Sequence, residues 1–193
     1  MSVEPDSAGL PVTQPWLSSI LEEHFESLQM LWELRLEARR DAAYDQAGLD
    51  ELDQRLRAHL DGIVLSGQHS LPMIREALAG GERPMVFAAA LAALHMQDPQ
   101  IANDLWAAFD NAEGPAADGF VDAFQSVPVA DHQPNLLERL QSQTSAVASA
   151  AAHILAFSGK LPADFPALSQ WCVDEDEHVR RRAWDIVCLL GKA

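Results

Sequence analysis

The chain is short of the residues on which disulfide, metal and nucleic-acid chemistry depend. It has two cysteines, Cys172 and Cys188, and one tyrosine in 193 residues. Two cysteines cannot build a disulfide framework, and with no leader of basic start and apolar core the expected setting is cytoplasmic. Buried, reduced thiols are then the favoured state, although the two cysteines fall on successive predicted helices and pairing stays open. Basic residues are also scarce, 13 Lys and Arg against 29 Asp and Glu, for a formal charge of -16. Neutralising phosphates requires clustered Lys and Arg, so a nucleic-acid partner is not expected. No apolar run approaches the roughly 20 residues that cross a bilayer, so no membrane role is expected either. HExxH, paired CxxC, Gly-rich phosphate loops and GxSxG are missing. None of the seven histidines lies four residues from another, so no helix face offers two metal ligands. The expectation is a protein without catalytic residues, metal or cofactor.

What is present is helical. Apolar residues make up 48% of the chain, enough for a core, and Leu and Ala dominate over β-branched types. Residues 1–14 carry Pro5, Gly9 and Pro11 with no periodicity and read as a flexible lead-in. From Pro15 to about Arg40, the spacing of Trp16, Ile20, Leu21, His24, Leu28, Leu31 and Trp32 predicts one long helix. Asp45 to Gly48 interrupts it, and Leu49, Leu52, Leu56 and Leu60 predict a second helix ending at Gly62. The pair, within 15–67, is expected to form an antiparallel hairpin.

Residues 68–193 read as a repeat packed onto that hairpin as one continuous domain. The closing stretch, Asp174 to Gly191, begins with an acidic run suited to the positive end of a helix dipole. It places Val179, Ala183, Ile186, Val187 and Leu190 on one face, with Arg180, Arg181, Arg182 and Asp185 on the wet side. Laying Gly191 over Gly159, a shift of 32 residues, superposes Val179 on Val147, Ala183 on Ala151, Ile186 on Ile154 and Val187 on Leu155. Further shifts carry these onto Ala116, Phe120, Ala123 and Phe124, and then onto Val86, Ala90, Ala93 and Leu94. Four units result, roughly 69–97, 98–127, 131–160 and 163–192, each of two helices. Asp98-Pro99 and Asp164 with Pro166 are the expected helix starts, and Gly80-Gly81, Gly114-Pro115, Pro128 and Gly159 with Pro162 the breaks. Such a unit cannot bury its apolar face alone, so the predicted fold is all-α: a hairpin followed by a short α-solenoid of about four repeats.

Glu23-His24, Leu31-Trp32, Arg35, Leu52-Asp53, Arg55 and Ala58-His59-Leu60-Asp61-Gly62, with Gly67 beyond, resemble a bacterial family of HEAT-repeat-like proteins often encoded near type VI secretion components. The Asp-rich start followed by Val179-Arg180 and Ala183 is similar to the HEAT pattern, in the short form known from bilin-lyase-like proteins. The resemblance implies that the second helix of each unit lines a concave side. In the repeat register, the solvent-facing positions there are Asp185 with His153 and Asp122, and Arg181 with Ser149 and Asp118. Trp184 aligns with Ala152, Val121 and Leu91. The expected binding surface is therefore a mixed acidic stripe, Asp118, Asp122, His153, Arg181 and Asp185, with Trp184 as an aromatic anchor. The resemblance implies a protein partner, a basic secreted effector or toxin, for which this chain is an immunity protein or adaptor. Self-association through the last helix is a further expectation, because the chain stops soon after it. Two other classes stay open: a bilin-lyase-like enzyme, or one using His24, Arg35, His59 and Asp61, and a structural oligomerisation module. Against catalysis by the His24, Arg35, His59 and Asp61 cluster, Arg35 or Arg55 paired with Asp53 and a histidine closing a helix end are ordinary hairpin stitches.

Overall fold

The computed structural model describes residues 15–191 apart from Gln97 and Ala163, so the predicted lead-in 1–14 lies outside the described residues. Ten α-helices and no strand occur among them. In order they are α1 (Pro15–Ala38), α2 (Gln46–Leu65), α3 (Leu71–Leu78), α4 (Arg83–His95) and α5 (Pro99–Phe109). Then come α6 (Gly114–Gln125), α7 (Gln133–Arg139), α8 (Ser145–Phe157), α9 (Leu168–Trp171) and α10 (Glu177–Leu190). None is long and apolar enough to cross a membrane.

Helix ends follow local chemistry. Asp98 accepts hydrogen bonds from the Gln100 and Ile101 amides with Pro99 in the first turn, and Asp176 does the same for the His178 and Val179 amides. At the end of α8, the Lys160 amide donates to the Leu155 carbonyl and the Gly159 amide to that of Ala156. That double bond pattern needs a left-handed residue, and Gly159 supplies φ of 66°. Three expected boundaries move. Asp45 caps α2 through the Gly48 amide, so the helix begins three residues before Leu49. α2 also continues through Gly62, which has no Cβ to collide with the His24 ring lying on it; a Cβ there would stand 2.8 Å from His24 Nε2. Asp164 and Pro166 open no helix: α9 starts at Leu168 and lasts one turn.

The α1–α2 pair is antiparallel, because contacts climb one helix as they descend the other: His24 meets His59, and Arg35 meets Asp53. Trp32 stacks on Phe87 at 4.4 Å between ring centroids, fastening the hairpin to α4. From there α6 packs on α4, α8 on α6 and α10 on α8. α4 and α6 approach closely, since a Cβ on Gly119 would lie 2.6 Å from the Arg83 carbonyl oxygen. One apolar cluster runs from Phe25 in the hairpin to Ile186 in α10.

Positions equivalent in the repeat register share burial. Val86, Ala116, Val147 and Val179 are buried, as are Ala90, Phe120, Ala151 and Ala183, and Ala93, Ala123, Ile154 and Ile186. The fourth group is mixed: Val187, expected in the core, is 37% exposed and Leu94 is half-buried, where Phe124 and Leu155 are fully covered. α6 and α8 each have a later helix laid on them, and no described helix follows α10.

Candidate functional site

The residues that the register aligned on α6, α8 and α10 do meet on one face, but not as a bare acidic stripe. Asp118 was expected in solvent and is buried, 4% exposed. Its Oδ1 accepts from Arg182 Nη1 at 2.8 Å, and its Oδ2 accepts from Arg181 Nη2 and lies 2.9 Å from His178 Nδ1. Arg182, also expected on the wet side, is 1% exposed. It reaches inward because a carboxylate waits there, and its Nε donates to Ser149 Oγ at 3.2 Å. One buried Asp on α6 thereby ties down three cationic or ionisable side chains from α10, with α8 bracing the most buried of them.

The electrostatics follow from this arrangement. Burial alone would raise the Asp118 carboxyl, but the hydrogen bonds from Arg181 and His178 and the charge of Arg182 hold it below the ordinary carboxylate range. Burial dominates at Arg182, where it weakens the hold on the proton against the pull of Asp118. Asp122, one turn along α6, is covered enough that burial raises its carboxyl despite Arg83, whose Nε and Nη2 donate to it at 2.7 and 3.0 Å. His153 sits one turn beyond Ser149 on α8, and burial pushes its ring down to about 4.

Among the six expected binding residues, then, Asp118 and Asp122 are spoken for by arginines, and His153 is half-buried. Arg181, Trp184 and Asp185 remain exposed, Trp184 at 55%. The counterparts of Trp184, namely Leu91, Val121 and Ala152, and the Ser149 counterpart of Arg181 are all buried, not solvent-facing. The same register position is covered in the interior of the stack and uncovered at its end. Sequence periodicity cannot see this difference, because it depends on whether another helix arrives.

The four residues His24, Arg35, His59 and Asp61 do not assemble. His24 and His59 touch, Nδ1 to Nδ1 at 3.0 Å, and burial pushes His59 down. Arg35 is three turns away along α1, roughly 16 Å at 1.5 Å per residue, and is occupied by Asp53 through Nε and Nη2. No group of three or more potential metal ligands occurs among the described residues. Cys172 and Cys188 are both free; Cys188 is exposed and Cys172 half-buried, so the expected burial of both thiols is not found.

No family model matches this chain, and no curated protein or solved structure matches it. Fold and site together define an all-helical protein with a buried ion cluster joining three helices and an uncovered aromatic on the last described one.

Proposed function

We propose that this chain is a non-catalytic, protein-binding α-solenoid whose partner docks on the outer face of α10. The four helix pairs fit a short array of HEAT-like repeats, in which α4, α6, α8 and α10 are the equivalent second helices. The observation that carries the reading is the uncovered Trp184, 55% exposed on a helix whose neighbours bury the same register position. A tryptophan held rigidly in water carries a large desolvation gain for whatever covers it, and tryptophan is enriched among interface hot spots. Arg181 lies one turn before it and Asp185 is the next residue, about 100° around the helix; both are exposed and give the apolar centre a polar edge.

The formal charge of -16 favours a basic partner through encounter rate and selectivity. By the resemblance of residues 20 to 67 to proteins encoded near type VI secretion components, that partner is a secreted effector, and this chain its immunity protein or adaptor. The test is calorimetric titration against the effector encoded beside it. Trp184→Ala and Asp185→Lys, both at exposed side chains, should each weaken binding at least tenfold without altering thermal stability. Wild-type affinity in both variants, or no complex at all, would sink the docking face. A concentration-dependent dimer of the chain alone, abolished by Trp184→Ala, would replace the reading with self-association.

A further inference from the structure

The α1–α2 hairpin holds a pair of side chains that docking at α10 does not use. His24 and His59 set their Nδ1 atoms 3.0 Å apart across the two helices, with the ring planes at 67°. Neither ring has another hydrogen-bond partner among the described residues. Both are half-buried, so each keeps an edge in solvent and an ion has a way in. Spacing within one helix could not reveal this pair, because its members stand 35 positions apart on different helices.

The position of His24 is built into the neighbouring helix. Its ring lies on Gly62, which follows His59 by one turn on the same side of α2. A Cβ at Gly62 would stand 2.8 Å from His24 Nε2, 2.9 Å from Cδ2 and 3.1 Å from Cε1. Glycine inside a helix weakens it relative to alanine, so α2 gives up helix stability at the one place where the ring needs room. His24 is thereby confined between Gly62 and His59. The Arg35–Asp53 pair farther along the hairpin fixes the register that brings the rings together.

The chemistry of the pair suits a cation. Burial, then the charges of His24 and Arg55, hold the His59 ring below its ordinary value, with Glu23 working the other way. At neutral pH that ring is uncharged, the form that ligates metals. One Nδ1 carries the proton of the present hydrogen bond. Transfer of that proton to Nε2 of the same ring through water frees both Nδ1 lone pairs, with no net proton gained or lost. The net charge of -16 also draws cations toward the chain.

We infer that His24 and His59 bind a divalent transition-metal ion through their Nδ1 atoms, with water filling the remaining positions. At metal–nitrogen distances of about 2.0–2.1 Å, nitrogens 3.0 Å apart subtend roughly 90–97° at the ion. That is the angle between adjacent ligands in square-planar or octahedral coordination, which Cu²⁺ and Ni²⁺ adopt. Tetrahedral Zn²⁺ would need the nitrogens spread to about 3.3 Å. The ion ties α1 to α2, adding a second stitch to the Arg35–Asp53 pair. This inference is independent of docking at α10, since the two sites share no residue.

The test is calorimetric titration of the full chain, free of any histidine tag, with Ni²⁺ and separately with Zn²⁺. One Ni²⁺ should bind per chain, more tightly than Zn²⁺. His24→Gln and His59→Gln should each lose tenfold or more in Ni²⁺ affinity. Gly62→Ala keeps both histidines and favours the helix, but its methyl takes the place of the His24 ring, so it should also lose tenfold or more. His69→Gln, at an exposed histidine outside the pair, should stay within twofold of wild type. Ni²⁺ should raise the urea midpoint of the wild type and leave that of His59→Gln unmoved, and far-ultraviolet circular dichroism checks that the helices of each variant persist. Wild-type affinity in His59→Gln or Gly62→Ala, an equal loss in His69→Gln, tighter binding of Zn²⁺ than of Ni²⁺, or no saturable binding would each overturn the proposal.

Discussion

Asp118→Ala is the substitution that should hurt this protein most. Arg182 is 1% exposed, and its one carboxylate partner is Asp118, whose two oxygens also serve Arg181 and His178. Removing the carboxylate leaves a guanidinium enclosed among α6, α8 and α10 with Ser149 Oγ as its remaining side-chain acceptor. Breaking one side of a buried ion pair costs about 3–5 kcal/mol, because the surviving charge keeps its desolvation penalty without its compensation. Arg181 and His178 are partly solvated, so their lost contacts add little beyond that. For a domain of this size, with total stability on the order of 5–15 kcal/mol, such a loss is a large fraction of the whole. Urea unfolding followed by circular dichroism measures it as a fall in midpoint at constant slope. The double variant Asp118→Leu, Arg182→Met should recover most of the deficit, since an apolar pair of similar bulk needs no compensation. A loss below about 1 kcal/mol in Asp118→Ala would refute the reasoning, because it would mean that Arg182 finds water or another anion when Asp118 is gone.

Three other outcomes are expected. Gly119→Ala, placing a Cβ 2.6 Å from the Arg83 carbonyl oxygen, should force α4 and α6 apart and cost about 1–3 kcal/mol in the same unfolding assay. Gly159→Ala has no atom within 4 Å of the added methyl, so its cost is left-handed backbone strain alone, about 1 kcal/mol; thermal melts of the two glycine variants should separate accordingly. The third concerns pH. Burial holds the His153 ring down at about 4 in the folded chain against its ordinary 6.5, so the unfolded chain binds the proton more tightly and stability falls as pH drops below 6.5. Between pH 7 and pH 5 this group contributes a loss of about 2 kcal/mol, which His153→Gln should remove from the pH profile of the urea midpoint. A profile unchanged by the substitution would mean that the ring is solvated in the native state.

Much of the helical plan was legible from residue spacing. The α10 face of Val179, Ala183 and Ile186 and the three groups of equivalent buried positions on α4, α6 and α8 follow from a 3.6-residue period and a repeat of about 31, both local properties. The caps at Asp98 and Asp176 follow from side chains that satisfy amides two and three residues on. Asp164 misled because that stretch is spent on successive turns, the Phe165 amide donating to the Pro162 carbonyl and the Leu168 amide to that of Phe165, so the helix begins only at Leu168. Gly62 misled because its lack of a Cβ serves the neighbouring His24 ring rather than a helix end.

The sequence by itself determined that the chain is helical, where most of the helices lie and most of the apolar positions on each, and that the chain carries a large negative charge. Those depend on neighbours three or four residues away and on composition. Only the tertiary structure decided which polar residues leave solvent. Asp118 and Arg182 stand 64 positions apart, as Asp122 and Arg83 stand 39; each looks like a surface charge until α10 is laid near α6 and α6 against α4. The same is true of Trp184, whose exposure depends not on its own helix but on the absence of a further one among the described residues. A buried charge survives only where its counter-charge arrives from another element, and pairing at that range leaves no periodic trace in the chain.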